Sequence, residues 1–392
     1  MTSLFERSLV IHEQLRGKLA VVGKMPLETR EDLSLAYTPG VAGPCEAIAS
    51  SPERARDLTL KRNAVGIVTD GSAVLGLGNI GALASIPVME GKALLFKEFA
   101  GIDAWPICLD TQETDEIIET VRRIAPVFGG INLEDIAAPR CFEVEGRLQE
   151  LGIPVFHDDQ HGTAIVLLAA LLNSATVLER KLTEMRVVVN GAGAAGSAIA
   201  RLLRCVGYDP GVCVPVRDII ICDSRGAIHQ GRDDLSPVKR ELAGFTNHDG
   251  RKGDLRDVLR DADVFIGVSR GGLVEAEDIR TMRKDPVVLA MANPVPEILP
   301  DDAREGGAAI VGTGRSDFPN QVNNLLAFPG VFRGALDASA SRVTEEMNIA
   351  AAYALAAAVD EPSPERVLPD PLDRSVAPQV ARAVAEAWES SR

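Results

Sequence analysis

The sequence predicts an α/β protein in two parts: an N-terminal mixed α/β unit, then a Rossmann-like, doubly wound parallel sheet. Three observations carry this. From about residue 163 onward, short β-branched apolar runs alternate with helical segments, the pattern of parallel strands covered on both faces. A glycine-rich loop, Gly191-Ala192-Gly193-Ala194-Ala195-Gly196, falls between the first of those runs and a helix. The first 160 residues show no such alternation, only short apolar runs punctuated by Gly and Pro. The expected units are therefore 1–162 and 163–392.

In the second unit the pattern predicts strands over 186–190, 218–222, 264–268, 287–291 and 308–311, with helices over 197–206 and 255–260. Ligands of such sheets bind beyond the carboxyl ends of the strands, which groups Gly191, Asp223, Ser269, Asn293 and Gly314 around one crevice. An Ala-rich stretch over 350–358 and an amphipathic stretch ending near Trp388 read as helices with a packing role.

The chain has 392 residues, and 41 Lys and Arg against 56 Asp and Glu leave a formal net charge of −15. Duplex nucleic acid and anionic membrane are therefore not expected as partners. Cys45, Cys108, Cys141, Cys205, Cys213 and Cys222 form no C-x-x-C pair and read as free thiols in a reducing compartment. No apolar stretch reads as a signal or a membrane span, so a soluble, cytoplasmic protein is expected.

The spacing G-x-G-x-x-G occurs twice. The loop Gly76-Leu-Gly-Asn-Ile-Gly81 runs into Pro87, which is expected to stop a helix after about a turn, so a structural turn is the first reading. The Gly191 loop follows a strand and opens an uninterrupted helix, whose free N–H groups suit a pyrophosphate. The next strand ends in Asp223, where a carboxylate accepts from ribose hydroxyls and repels a 2′-phosphate; this favours NAD⁺ over NADP⁺. Arg225 follows closely and could instead bind a 2′-phosphate.

Two acid pairs, Glu134-Asp135 and Asp158-Asp159, each follow an apolar strand candidate. Adjacent carboxylates at strand ends repel unless a cation or a shared proton compensates, and oxygen ligands suit Mg²⁺ or Mn²⁺. Two solvated turns fit the spacing equally. His157 and His161 flank the second pair without a third soft ligand nearby, so they are expected to pack or hydrogen-bond rather than hold zinc. Tyr37 reads as a strand end entering a Pro-Gly turn, its phenol facing a cleft. Lys92 precedes an apolar run that would desolvate it and lower its pKa. Each is a candidate acid or base; a core tyrosine and a snorkelling lysine are the plain alternatives.

Together the segments Ala36-Tyr-Thr-Pro-Gly-Val41, Thr69-Asp-Gly71 with Leu75-Gly-Leu-Gly78, Gly91-Lys92, Asn132-Leu-Glu-Asp135, Phe156-His-Asp-Asp-Gln-His-Gly162, the Gly191 loop, Asn293-Pro294, and Asn323-Asn324 before Phe328-Pro-Gly330 resemble malic enzymes of the short bacterial type. The resemblance implies oxidative decarboxylation of malate to pyruvate with NAD⁺ or NADP⁺, and a homodimer at least. It also implies Glu134, Asp135 and Asp159 as ligands of Mg²⁺ or Mn²⁺, Lys92 as general base, Tyr37 as general acid with Asp158 beside that pair, and Asn293 and Asn324 as substrate contacts. Larger relatives carry an arginine for the substrate carboxylate within the segment that reads Gly71-Ser-Ala-Val-Leu75 here; this chain has none, which leaves Ser72, the Gly76 loop and Arg140 as candidates. Regulation through a C-terminal phosphotransacetylase-like extension is not expected. Two competing readings are an amino-acid dehydrogenase, which needs no metal, and a non-enzymatic dinucleotide sensor.

Overall fold

The computed structural model describes residues 3–74 and 76–391. Leu75 of the Leu75-Gly-Leu-Gly78 motif lies outside the described residues, as do Met1, Thr2 and Arg392.

Two parallel sheets organise the chain. The first contains β1 (Ala64–Thr69), β2 (Asp103–Cys108), β3 (Gly130–Leu133) and β4 (Val155–His157) in the order β2-β1-β3-β4. Every neighbouring pair in it is parallel. All residues of β1, β3 and β4 are buried, so polarity cannot alternate along them; β3 and β4 fall on the strand candidates before the two acid pairs, whereas β1 and β2 were not singled out in the sequence.

The second sheet contains β5 (Arg186–Asn190), β6 (Asp218–Asp223), β7 (Gly226–Ala227), β8 (Val264–Gly267), β9 (Val287–Ala290) and β10 (Ile310–Thr313), in the order β10-β9-β8-β5-β6-β7. All pairs are parallel except the short β7 against β6. The strand order reverses between β5 and β8, and such a switch point opens a crevice at the strands' carboxyl ends. The expected strands are present within about two residues; the last lies at Ile310–Thr313 rather than over 308–311.

The Asp158–Val177 helix starts directly after β4 and joins the two sheets. Its buried face packs into one core that holds Val65 and Ile67 of β1 together with Val187 and Val189 of β5. By length and composition this helix could cross a membrane, but 72% of its apolar window is buried inside the protein, as in a core helix. The Ala-rich stretch and the final amphipathic stretch form the Glu345–Ala357 and Val376–Ser390 helices, which pack on each other.

Three expectations are corrected. The Gly81–Ala100 helix runs straight through Pro87. The proline frees the carbonyl of Leu83, but Leu83 is 82% exposed, so water can satisfy it, and Lys18 Nζ donates to the Pro87 carbonyl at 2.6 Å. Tyr37 is no strand end: Thr29 and Asp32 form a capping box that starts the Arg30–Ala36 helix, and Tyr37 caps its end. Finally, Cys205 and Cys213 form a disulfide, leaving Cys45, Cys108, Cys141 and Cys222 free. The loop after the Ala194–Leu203 helix folds back on it, bringing Cys213 near Leu202; a spacing of eight residues gave no sign of this. The cysteine argument for a reducing compartment is thereby withdrawn.

Candidate active site

The carboxyl ends of β1, β3 and β4 meet the middle of the Gly81–Ala100 helix. Glu134, just past β3, donates its N–H to the Val68 carbonyl at 2.9 Å, which fixes the strand end. Asp135 follows with φ of 54°, a left-handed conformation uncommon for a non-glycine residue. Its N–H donates to Asp159 Oδ2 at 2.8 Å. Asp158 and Asp159 occupy the first turn after β4, the helix end that favours negative charge.

Lys92 reaches this cluster from the Gly81–Ala100 helix. Its Nζ donates to Glu134 Oε1 at 2.5 Å and to Asp158 Oδ2, and stands 4.4 Å from the centroid of the Phe328 ring. Asn132 Nδ2 donates to the other oxygen of Glu134 at 2.9 Å. Ligand atoms of Glu134, Asp135 and Asp159 all lie within 4.8 Å of one another.

One ammonium faces four carboxylates here, leaving three negative charges uncompensated in a largely buried pocket. Burial, then the charges of Asp159 and Glu134, push Asp135 up to about 9. Burial likewise raises Asp158 to about 8 against the pull of Lys92, and raises Glu134 and Asp159. Three converging carboxylates short of positive charge are the donor set of a hard dication, so the residues fit Mg²⁺ or Mn²⁺. The lowered pKa expected of Lys92 is overturned: burial pulls it down, but Asp158 and Glu134 outweigh that and hold it above the usual lysine value.

Both histidines fill the roles expected of them. Burial lowers fully buried His157 to about 4, so its ring is neutral. His161 Nε2 bonds Glu145 at 2.9 Å.

The Gly191 loop lies at the switch point. A Cβ on Gly191, whose φ is 129°, would stand 2.6 Å from the Val268 carbonyl oxygen, and one on Gly196 would stand 1.8 Å from the Gly191 oxygen. Both positions therefore require glycine. Gly193 caps the Ala194–Leu203 helix; Ala192 and Ala195 pack on the main core, and Ala194 packs against the core of the first sheet. The N–H groups of that first helical turn are the free donors a pyrophosphate would take.

Ser269 Oγ accepts from Asn190 at 2.8 Å, and its N–H donates to Glu297 at 2.9 Å. Asn293 Nδ2 donates to the Met291 carbonyl at 3.2 Å. A Cβ on Gly76 would stand 2.9 Å from the Asn293 oxygen, so the Gly76 loop lies against the end of the second sheet and is more than an isolated turn. Asn324 adjoins Asp158: a Cβ on Gly162 would meet both.

Other positions differ from expectation. Tyr37 is 68% exposed and outside the buried cluster. Arg140, a candidate carboxylate anchor, is held by Asp70 at 2.7 Å and Ser72 at 2.9 Å. Asp223 is not open to a ribose: Arg232 binds both its oxygens at 2.9 and 3.2 Å, and Lys239 Nζ adds a bond of 2.6 Å. These cations hold its carboxyl below the usual range although burial pushes it up. Arg225 turns away to Asp234 at 2.8 Å. Arg232, Lys239, Glu145 and Glu297 escaped the sequence reading, because no spacing rule marks a partner that arrives from another element.

Residues 16–149 match the family described as Malic enzyme, N-terminal domain, and residues 160–388 match Malic enzyme, NAD binding domain. The chain belongs to the malic enzyme family. It is 56% identical to the bifunctional malic/malolactic enzyme of Bacillus subtilis over 98% of this chain and 93% of that protein. It is 46% identical to the NADP-dependent malic enzyme of Escherichia coli over 99% of this chain but 53% of that protein. The crystal structure of the NAD-dependent malic enzyme from Thermotoga maritima superposes with a TM-score of 0.92 at 48% identity, covering 96% of this chain and 98% of that one. Family members of this similarity thus use either coenzyme.

Proposed function

We propose that this chain oxidatively decarboxylates (S)-malate to pyruvate and carbon dioxide while reducing NAD⁺ or NADP⁺, with Mg²⁺ or Mn²⁺ as cofactor. The observation that carries this is Lys92 bonded to Glu134 and Asp158 beside the convergent carboxylates of Glu134, Asp135 and Asp159. An amino-acid dehydrogenase or a dinucleotide sensor has no use for such a carboxylate cluster.

Glu134, Asp135 and Asp159 would hold the metal, which supplies Lewis-acid polarisation of the C2 oxygen when bound. The carboxylates hold Lys92 protonated, so it must first pass its extra proton to Asp158, which is raised to about 8; the neutral amine then takes the C2 hydroxyl proton as the C2 hydride passes to the nicotinamide, giving the 2-oxo acid. The C3–C4 bond then breaks, carbon dioxide leaves, and C3 is protonated; Tyr37, outside the cluster within one chain, serves as that acid where assembly of two chains brings its exposed phenol to a site. Asp158 holds the Lys92 ammonium in place, and the Phe328 ring shields it from water. Asn293 and Asn324 orient the substrate, and residues 191–196 with Ser269 hold the dinucleotide.

NAD⁺ is the preferred coenzyme in this reading, on the strength of the similarity to the NAD-dependent enzyme of Thermotoga maritima; Asp223 adds little, because Arg232 and Lys239 occupy its oxygens and weaken its repulsion of a 2′-phosphate. Residues 1–162 form the catalytic unit and 163–392 the dinucleotide unit. A cytoplasmic homodimer completes the proposal. Its support is that the Leu4–Leu15 and Arg30–Ala36 helices bury no residue while exposing Leu4, Phe5, Leu9, Leu33 and Leu35, apolar surface that a second copy would cover. The test is purified protein with malate, Mn²⁺ and each coenzyme, followed by reduced-nicotinamide absorbance. No turnover with either coenzyme, or full turnover after chelation, refutes it.

A further inference from the structure

We infer that Glu145 is a positioning residue that holds the Asp158-Asp159 turn in its metal-binding shape from the side opposite Lys92. Glu145 lies on the Arg140–Leu148 helix and is 8% exposed. Its carboxylate gathers three donors from the junction between β4 and the following helix. The His157 N–H donates to Oε1 at 3.0 Å, and His161 Nε2 stands 2.9 Å from the same oxygen. Gln160 Nε2 donates to Oε2 at 3.1 Å. Asp158 and Asp159 sit between those donors in sequence and face the other way, toward Lys92 and Asp135. The turn is thus gripped on both sides, by Lys92 in front and by Glu145 behind.

Only a carboxylate serves three donors from two oxygens at this place, since an amide keeps one acceptor and turns an N–H₂ group toward Gln160 or His161. Glu145 is not there to fill space. It borders a cavity of about 520 Å³ together with Gln149, Ser197 and Arg201, so changing its chemistry at constant volume leaves the core intact. Groups bonded directly to a metal ligand typically set affinity by roughly 10–100-fold; Glu145 acts one step further out, through the residues that flank Asp159, so the lower end of that range applies.

The inference rests on the proposed metal site, and the experiment separates the two. Mn²⁺ dissociation constants are measured from the free-ion electron paramagnetic resonance signal, without malate or coenzyme, for wild type, Glu145→Gln, Glu145→Asp and Gln160→Leu. Thermal midpoints are measured alongside. Glu145→Gln should bind Mn²⁺ about tenfold more weakly with its thermal midpoint within a few degrees of wild type. Glu145→Asp should recover part of that loss, and kcat of Glu145→Gln should return to near wild type at saturating Mn²⁺. Gln160→Leu, which removes one donor, should weaken binding several-fold and provides the test if Glu145→Gln does not fold. Wild-type affinity in a folded Glu145→Gln, or in Gln160→Leu where the former is unfolded, overturns the inference alone. A wild-type protein that binds no Mn²⁺ overturns the metal assignment and this inference with it.

Discussion

Gly162 lies directly beneath the Asp158 carboxylate: a Cβ added there would stand 1.8 Å from Asp158 Oδ1 and 3.2 Å from the Asn324 Cβ. The residue is therefore a space requirement of the site, not a helix former. Gly162→Ala should push Asp158 off Lys92 and lower kcat/KM by about 100-fold, the cost of an ångström-scale misplacement. Circular dichroism should show an unchanged fold, since alanine suits a helix better than glycine. Wild-type turnover would show that Asp158 is free to move.

Asp159→Ala should abolish Mn²⁺-dependent turnover while leaving the fold intact, because an oxygen ligand is removed from a polar site and no core volume changes. Isothermal titration with Mn²⁺ checks this directly. Unchanged activity at limiting Mn²⁺ removes Asp159 from the ligand set.

Metal affinity should depend on pH in a stated direction. Asp135 is pushed up to about 9, so below that pH the metal-free carboxyl carries a proton that binding must displace. The apparent association constant should therefore rise about tenfold per pH unit between roughly pH 6 and 9, and level off above. A flat profile across that window contradicts the uncompensated negative charge described for the site.

Lys92→Ala should impair oxidation of malate, whereas Tyr37→Phe should leave hydride transfer nearly intact and slow protonation of the enolate. Stopped-flow measurement of the reduced nicotinamide burst against pyruvate release separates the two. Equal loss in both steps for Tyr37→Phe would remove its role as the acid.

For the coenzyme, Lys239→Ala should lower kcat/KM with NADP⁺ by about tenfold and leave NAD⁺ within about threefold, since Lys239 offsets the charge of Asp223 and its loss restores the repulsion of a 2′-phosphate. Arg225→Ala should do less, because Asp234 already holds Arg225 away. A larger loss with NAD⁺ than with NADP⁺ in Lys239→Ala refutes this placement. So far as the wild type is concerned, higher catalytic efficiency with NADP⁺ than with NAD⁺ overturns the preference proposed.

What could be read in the sequence follows a physical line. The second sheet was legible because β5, β6, β8, β9 and β10 are apolar runs spaced by helices and the Gly191 loop sits where only glycine fits; the two-residue β7 was not foreseen. Of the first sheet, β3 and β4 were visible only as the apolar leads before the two acid pairs, and β1 and β2 were not singled out, so the sheet itself was not read. Glu134, Asp135, Asp158 and Asp159 were visible as doublets at strand ends. The charge state of Lys92 was not: the apolar run after it is adjacent in sequence, while the carboxylates that outweigh it are 42 and 66 residues away. The same reason hid Arg232 and Lys239 from the argument about Asp223. Tyr37 misled because Pro39-Gly40 was read as a turn after a strand, when the Thr29 cap had already started a helix.

The helix joining the two sheets has a consequence for how the enzyme comes into being during synthesis. All five charged residues of the cluster have left the ribosome once residue 177 has emerged, yet the helix that carries Asp158 and Asp159 packs chiefly against elements made later, the Ala194–Leu203 and Glu345–Ala357 helices. A nascent chain released early would hold the ligands without the wall that orients two of them. The geometry of the cluster is in this sense completed by the last third of the chain.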